Sequence, residues 1–147
     1  MNWTTLLRYR KQVEDVIREE VMFAELEKSQ HIAKTQHLRD EIDRLAVSLD
    51  RSLQSGVDTI FAEQRYCWLD ETGGLLEMQA MKIYEIDKKL LGLKKRLQAA
   101  HHARRVVEIV IEKKEAAYMK KLAKQEQAMM EEATAHKHVT IARDGFT

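Results

Sequence analysis

Leu53-Gln54-Ser55-Gly56-Val57-Asp58 contains the first glycine of the chain, and the residues before it include neither glycine nor proline. The whole sequence of 147 residues has no proline at all, where ordinary usage of about 5% would supply roughly seven. Proline removes a helical N–H and clashes with the preceding turn, so its absence permits unbroken helix on both sides of residues 53–58. Gly56 suits the left-handed position that closes a helix, and Asp58 or Thr59 suits the N-cap that opens the next. The expected layout is helix over about 4–54, a turn at 55–58, helix over about 59–138 and a frayed tail at 139–147, all in one coiled-coil domain spanning 1–147.

Working outward from the turn, apolar residues alternate at spacings of three and four. In the second half they are Ile83, Ile86, Leu90, Leu93, Leu97 and Ala100; in the first half, Leu38-Ile42-Leu45-Leu49 and Val13-Ile17-Val21-Ala24. This is the seam of a coiled coil. A turn at 55–58 makes facing residue numbers sum to about 114, the arithmetic of an antiparallel pair. Ile17 then meets Leu97, Val21 meets Leu93, Ala24 meets Leu90, Leu38 meets Leu76, Leu45 meets Leu69, and Leu53 meets Phe61. Two separately written stripes agree under one register. The fold class is all-α: a long antiparallel two-helix coiled-coil hairpin whose second helix is the longer. Lys28, His31 and Thr35 interrupt the seam midway; polar seam residues either fix register or merely loosen the packing. A rival turn at Gly73-Gly74 would oppose Ile42 to Arg104, a poorer match, so that pair reads as a kink within the second helix. Beyond about residue 110 the stripe Ile111, Tyr118, Leu122, Met129 is left without a partner in this register. Such a stripe is a binding surface, a dimer contact or a frayed end.

Charged residues are 33% of the chain, hydrophobic residues 44% and aromatic residues 6%. That balance fits narrow apolar stripes better than a globular core. Lys plus Arg number 25 against 24 Asp plus Glu, so net charge points to no polyanion. The lone Cys67 rules out an internal disulfide and fits a reducing compartment. Arg8, Arg10 and Lys11 break up any leader-like apolar run, and no stretch approaches the ~20 apolar residues of a membrane span. The expectation is a soluble cytoplasmic protein.

Candidate chemistry is sparse. His101-His102 and His136-Lys137-His138 lack the i,i+4 spacing of a helical metal pair, so surface histidine is the plainer reading and no metal or cofactor is expected. Cys67 has no base beside it, and no polar site converges, so an enzyme is the least favoured class. Lys88, Lys89, Lys94, Lys95, Arg96, Arg104 and Arg105 form a basic run. Glu14, Asp15, Glu19, Glu20, Glu25 and Glu27 flank it in the register above, which favours pairing between helices over binding of nucleic acid. Near the turn, Phe61, Tyr66, Trp68 and Leu75 make the densest apolar-aromatic cluster. Trp68 sits one position off the seam, which suits docking or a cover for the turn. Met129 and Met130 place adaptable thioethers on the distal helix.

In order and spacing, several segments together resemble the FliJ family of flagellar export proteins and its injectisome counterpart, YscO, over nearly the whole length. They are Leu7-Arg8-Tyr9-Arg10-Lys11-Gln12-Val13-Glu14, Leu53-Gln54-Ser55-Gly56-Val57, Trp68-Leu69, Ala103-Arg104-Arg105-Val106-Val107-Glu108, Tyr118, Glu126-Gln127 and Glu131-Glu132-Ala133. Gly73-Gly74 departs from the continuous helix that the resemblance leads one to expect. The resemblance implies a non-enzymatic stalk of the type III protein export apparatus, serving flagellum biogenesis and motility. It would be cytoplasmic and peripheral to the inner membrane at the flagellar base. Residues 1–24 and 90–125, among them Val13, Arg104, Ile111, Tyr118 and Leu122, would enter the hexameric export ATPase. Trp68, Leu75 and Tyr66 would meet the cytoplasmic linker of the export gate, and export chaperones would also bind. From a different class, an unrelated coiled-coil scaffold or dimeric adaptor would pair its distal stripe with a second copy.

Overall fold

The computed structural model describes residues 2–56 and 58–145; Val57, at the turn, and Phe146 and Thr147, in the expected frayed tail, lie outside the described residues. The described residues form an all-α helical hairpin of two helices, α1 over Trp3–Gln54 and α2 over Thr59–Asp144.

Local chemistry explains each boundary. Asn2 caps α1, its Oδ1 accepting from the Thr5 amide at 3.2 Å while its carbonyl accepts from Leu6 at 3.2 Å. The side-chain bond satisfies one of the amides left bare at a helix start, and the carbonyl takes the first regular helical bond. At the other end, Ser55 donates through both its amide (3.1 Å) and its hydroxyl (3.0 Å) to the Arg51 carbonyl. Gly56 then takes φ +77°, a conformation that costs an L side chain about 1 kcal/mol or more. Asp58 precedes α2, and its carbonyl accepts from Ala62 at 3.2 Å.

Helix α2 passes through Gly73 and Gly74 without a break, so the chain does not turn there. It also runs on to Asp144, past the stop expected near residue 138. Nothing between 138 and 144 forces an ending: there is no proline, and the Thr140 hydroxyl is satisfied by the His136 carbonyl one turn back. The first glycine after that, Gly145, donates to the Ile141 carbonyl just beyond the helix.

Contacts within the chain group into two compact units, Gln12–Ala100 and a second made of Met1–Lys11 with His101–Thr147. In the first, Val21, Ala24, Ile86, Leu90 and Leu93 form a buried cluster, with Leu97 packed against it. Val21 and Leu93, like Ala24 and Leu90, have numbers summing to 114, so α1 and α2 zip here in an antiparallel register. Ile17 and Leu49 are buried too, while Leu38, Leu45, Leu69, Leu76 and Ile83 are half-buried, as two-helix packing allows. Leu53 is exposed rather than sealed against Phe61: the seam ends before the turn, where too little chain remains to cover it. In the second unit, Val107 is buried, and Trp3, Leu6, Leu7 and Ile111 are half-buried. The Lys114 ammonium lies 4.8 Å from the centre of the Trp3 ring, a favourable cation–π placement. From residue 112 to 143 every residue is exposed except the half-buried Leu122.

Candidate partner-binding surfaces

Between the core cluster and the turn, the seam becomes polar. The His31 imidazole Nδ1 lies 2.6 Å from the Gln79 side-chain oxygen across the helices, which makes that nitrogen the protonated donor. Thr35 turns its hydroxyl back to the His31 carbonyl at 2.9 Å, and Lys28 reaches Asp87 at 2.7 Å. Each of these side chains thus has a polar partner at the seam. Beside them, Leu38 and Leu75 line a shallow concavity together with His37 and Gln79.

Toward the turn, Phe61, Arg65, Trp68, Thr72 and Leu75 alternate at spacings of four and three, so they lie along one face of α2. The Arg65 guanidinium carbon sits 4.7 Å from the centre of the Phe61 ring and 5.3 Å from that of Trp68. A cation over two rings favours this arrangement by about 0.5–1 kcal/mol at an exposed site, and Trp68 stays 48% exposed. Thr72 is buried, its hydroxyl donating to the Trp68 carbonyl at 2.7 Å. Trp68 and the exposed Leu75 therefore share a stripe two turns long. Tyr66, also exposed, is two residues from Trp68 and so roughly 200° around the helix; it belongs to another face. Cys67 is exposed and unpaired by any disulfide. Arg65, which positions the tryptophan, is absent from the sequence reading above; its signal is the i,i+4 and i,i+3 spacing to the two rings.

The residues expected at the other end are distributed differently. Val13, in the unit Gln12–Ala100, is half-buried. Its neighbour Glu14 is buried and accepts a charge-assisted hydrogen bond from Arg18 at 2.9 Å. In the second unit, Ile111 and Leu122 are half-buried and Tyr118 is exposed, a stripe at i, i+7, i+11. Arg104 is half-buried and hydrogen-bonds Glu108 and His101. Arg105 bonds Glu108 at 2.9 Å and Glu112 at 3.3 Å. Hydrogen bonding by Arg105, then by Arg104, holds the Glu108 carboxyl below its ordinary range, and the same bond to Glu108 raises Arg105.

The basic run meets acids at several points. Lys94 approaches Glu25 and Arg96 approaches Glu20, each at 3.6 Å across the hairpin, and Lys88 rests 4.6 Å from the Tyr84 ring centre. Among the described residues no histidine, cysteine and carboxylate cluster forms a metal-binding group, and no helix is long and apolar enough to cross a membrane.

A family model described as "Flagellar FliJ protein" matches residues 3–140 of the chain. No curated protein and no solved structure matches it.

Proposed function

Since the chain belongs to the flagellar FliJ protein family, a non-enzymatic component of flagellar protein export, we propose that it acts as the stalk joining the export ATPase to the export gate. Residues 1–24 and 90–125 enter the ATPase ring, and the α2 stripe of Trp68 and Leu75 engages the gate's cytoplasmic linker at the base of the flagellum. Export chaperones are further partners. The work is mechanical: a stiff helical pair can bias ring subunits unequally while contributing no catalytic group of its own.

The observation that carries this reading is the Trp68 stripe. A large ring, half in solvent and set under the Arg65 guanidinium, is biased toward one pose, which trims part of the ordering cost of binding. Aromatic anchors of this kind dominate the energetics of protein interfaces.

Trp68→Ala in the full chain is the test, with binding to the gate's purified cytoplasmic domain as the readout. Binding should weaken by about tenfold or more, the scale of a lost aromatic anchor, with circular dichroism unchanged because the ring supports no core. Wild-type affinity in the variant would remove the gate contact from this stripe. The exposed run from residue 112 onward keeps a second reading open, in which Tyr118 and Leu122 pair with another copy in a dimeric adaptor. Sedimentation equilibrium decides between them: the stalk stays monomeric, while an adaptor shows a mass of two chains.

A further inference from the structure

The face of α1 turned away from the buried cluster carries its own apolar patch. Val16, Met22, Phe23 and Leu26 are all more than half exposed, Phe23 most of all at 71%. Glu19, Met22, Phe23 and Leu26 stand at i, i+3, i+4 and i+7. Four residues in that arrangement form the hole that receives one side chain of a facing helix in coiled-coil packing. They line a concavity together with Glu25. The same spacing continues on either side, through Val16-Glu19-Glu20-Phe23 and Phe23-Leu26-Glu27-Gln30, so Phe23 borders three successive holes.

The rim of this patch is acidic. Glu20 and Glu25 make only long contacts at 3.6 Å, to Arg96 and Lys94, and each of these pairs is about half exposed. Glu27, on the rim, and Glu19, inside the row at a corner of the hole, have no ion pair among the described residues. An apolar row bordered by carboxylates repels phosphate and anionic lipid, and attracts a helix that flanks its own apolar row with lysine or arginine.

We infer that the outer face of α1 at Val16, Glu19, Met22, Phe23, Leu26 and Glu27 is a docking site for a basic amphipathic helix of a partner protein. An apolar side chain of that helix enters the hole bordered by Phe23, and its basic residues pair with Glu27 on the rim and with Glu19 at the corner of the hole itself. This site is separate from the Trp68 stripe, and although most of it falls in the segment 1–24 assigned above to the ATPase ring, it does not rest on that assignment; gate binding can fail while this site stands. A second copy would offer Tyr84, Lys88 and Leu91 of α2 as the basic face. An α1-to-α2 contact of that kind is heterologous, however, and propagates unless its rotation happens to close.

The test uses the full chain and two fluorescein-labelled synthetic helices, both with leucine at a and d. One carries lysine at e and g, the other glutamate. Fluorescence anisotropy should show the lysine helix binding about tenfold or more tightly than the glutamate helix. Phe23→Ala should weaken the lysine helix about tenfold or more, the scale of a buried aromatic anchor, and so should Glu19→Lys combined with Glu27→Lys. Phe23 supports no core, so its variant should keep the wild-type melting curve; Tyr84→Ala, on the other helix, should keep wild-type binding. Equal affinity for both helices, unchanged binding in Phe23→Ala, or equal loss in Tyr84→Ala would overturn the assignment. So would a concentration-dependent mass increase in the free chain that Phe23→Ala abolishes, since a second copy would then occupy the face.

Discussion

At the scale of single residues, ionisable groups are held mainly by neighbours one or two turns away on the same helix. Glu108 takes hydrogen bonds from Arg104 and Arg105, and these favour its charged form. Its folded pKa lies below the ordinary 4.5, so whatever stability it adds is present above that value and is lost as pH falls through the lowered one. Carbon-13 NMR of the side-chain carboxyls should find Glu108 titrating below the bulk of the glutamates. Arg105→Ala should move its midpoint back toward 4.5; an unmoved midpoint would mean that the bond in the structure is not made in solution. Arg105 is half exposed, so the effect on overall stability is small. Trp68 shows the same economy, since its pose depends on Arg65 three residues earlier rather than on a distant element.

At the scale of elements, the glycines separate into two kinds with opposite consequences. A Cβ placed on Gly73 or Gly74 meets nothing within 4 Å, and both lie within α2. Gly73→Ala and Gly74→Ala should each stabilise by up to about 1 kcal/mol, the propensity gap between glycine and alanine in helix. Gly56→Ala should destabilise by about 1 kcal/mol because of its φ of +77°. Thermal melts of the three variants test both signs at once. The turn, the seam and the pairing of Val21 with Leu93 were legible in the sequence, because heptad spacing and missing prolines leave few alternatives. The exposure of Leu53 was not: spacing says which face a residue shares but not whether chain remains to cover it. The end of α2 was missed because Thr140 satisfies itself on the preceding turn, a bond that composition does not reveal. The Phe23 face was hidden for another reason. Its residues repeat at three and four like the seam itself, and a single strong stripe draws attention from a second one on the same helix.

At the scale of the whole molecule, charge and apolar contact play unequal parts. The 25 basic and 24 acidic residues nearly cancel, and the pairs across the hairpin are exposed, worth about 0–1 kcal/mol each. Raising sodium chloride to about 1 M should therefore move the melting temperature by less than about 4 °C. Leu93→Ala, in the buried cluster, should cost about 2–3 kcal/mol and lower it further than the salt does. A larger response to salt than to the truncation would reverse that ranking. One feature restrains a failure to which evenly toothed zippers are prone. Sliding α1 past α2 by seven residues, so that facing numbers sum to 121, would still oppose Ala24 to Leu97, Leu38 to Ile83 and Leu45 to Leu76, while setting Ile17 against Arg104 and Leu93 against Lys28. It would also strand the His31 imidazole and the Gln79 amide among aliphatic neighbours, each deprived of its mate. That single handshake acts as the ward of a lock, reinforcing the alignment that the apolar teeth already favour.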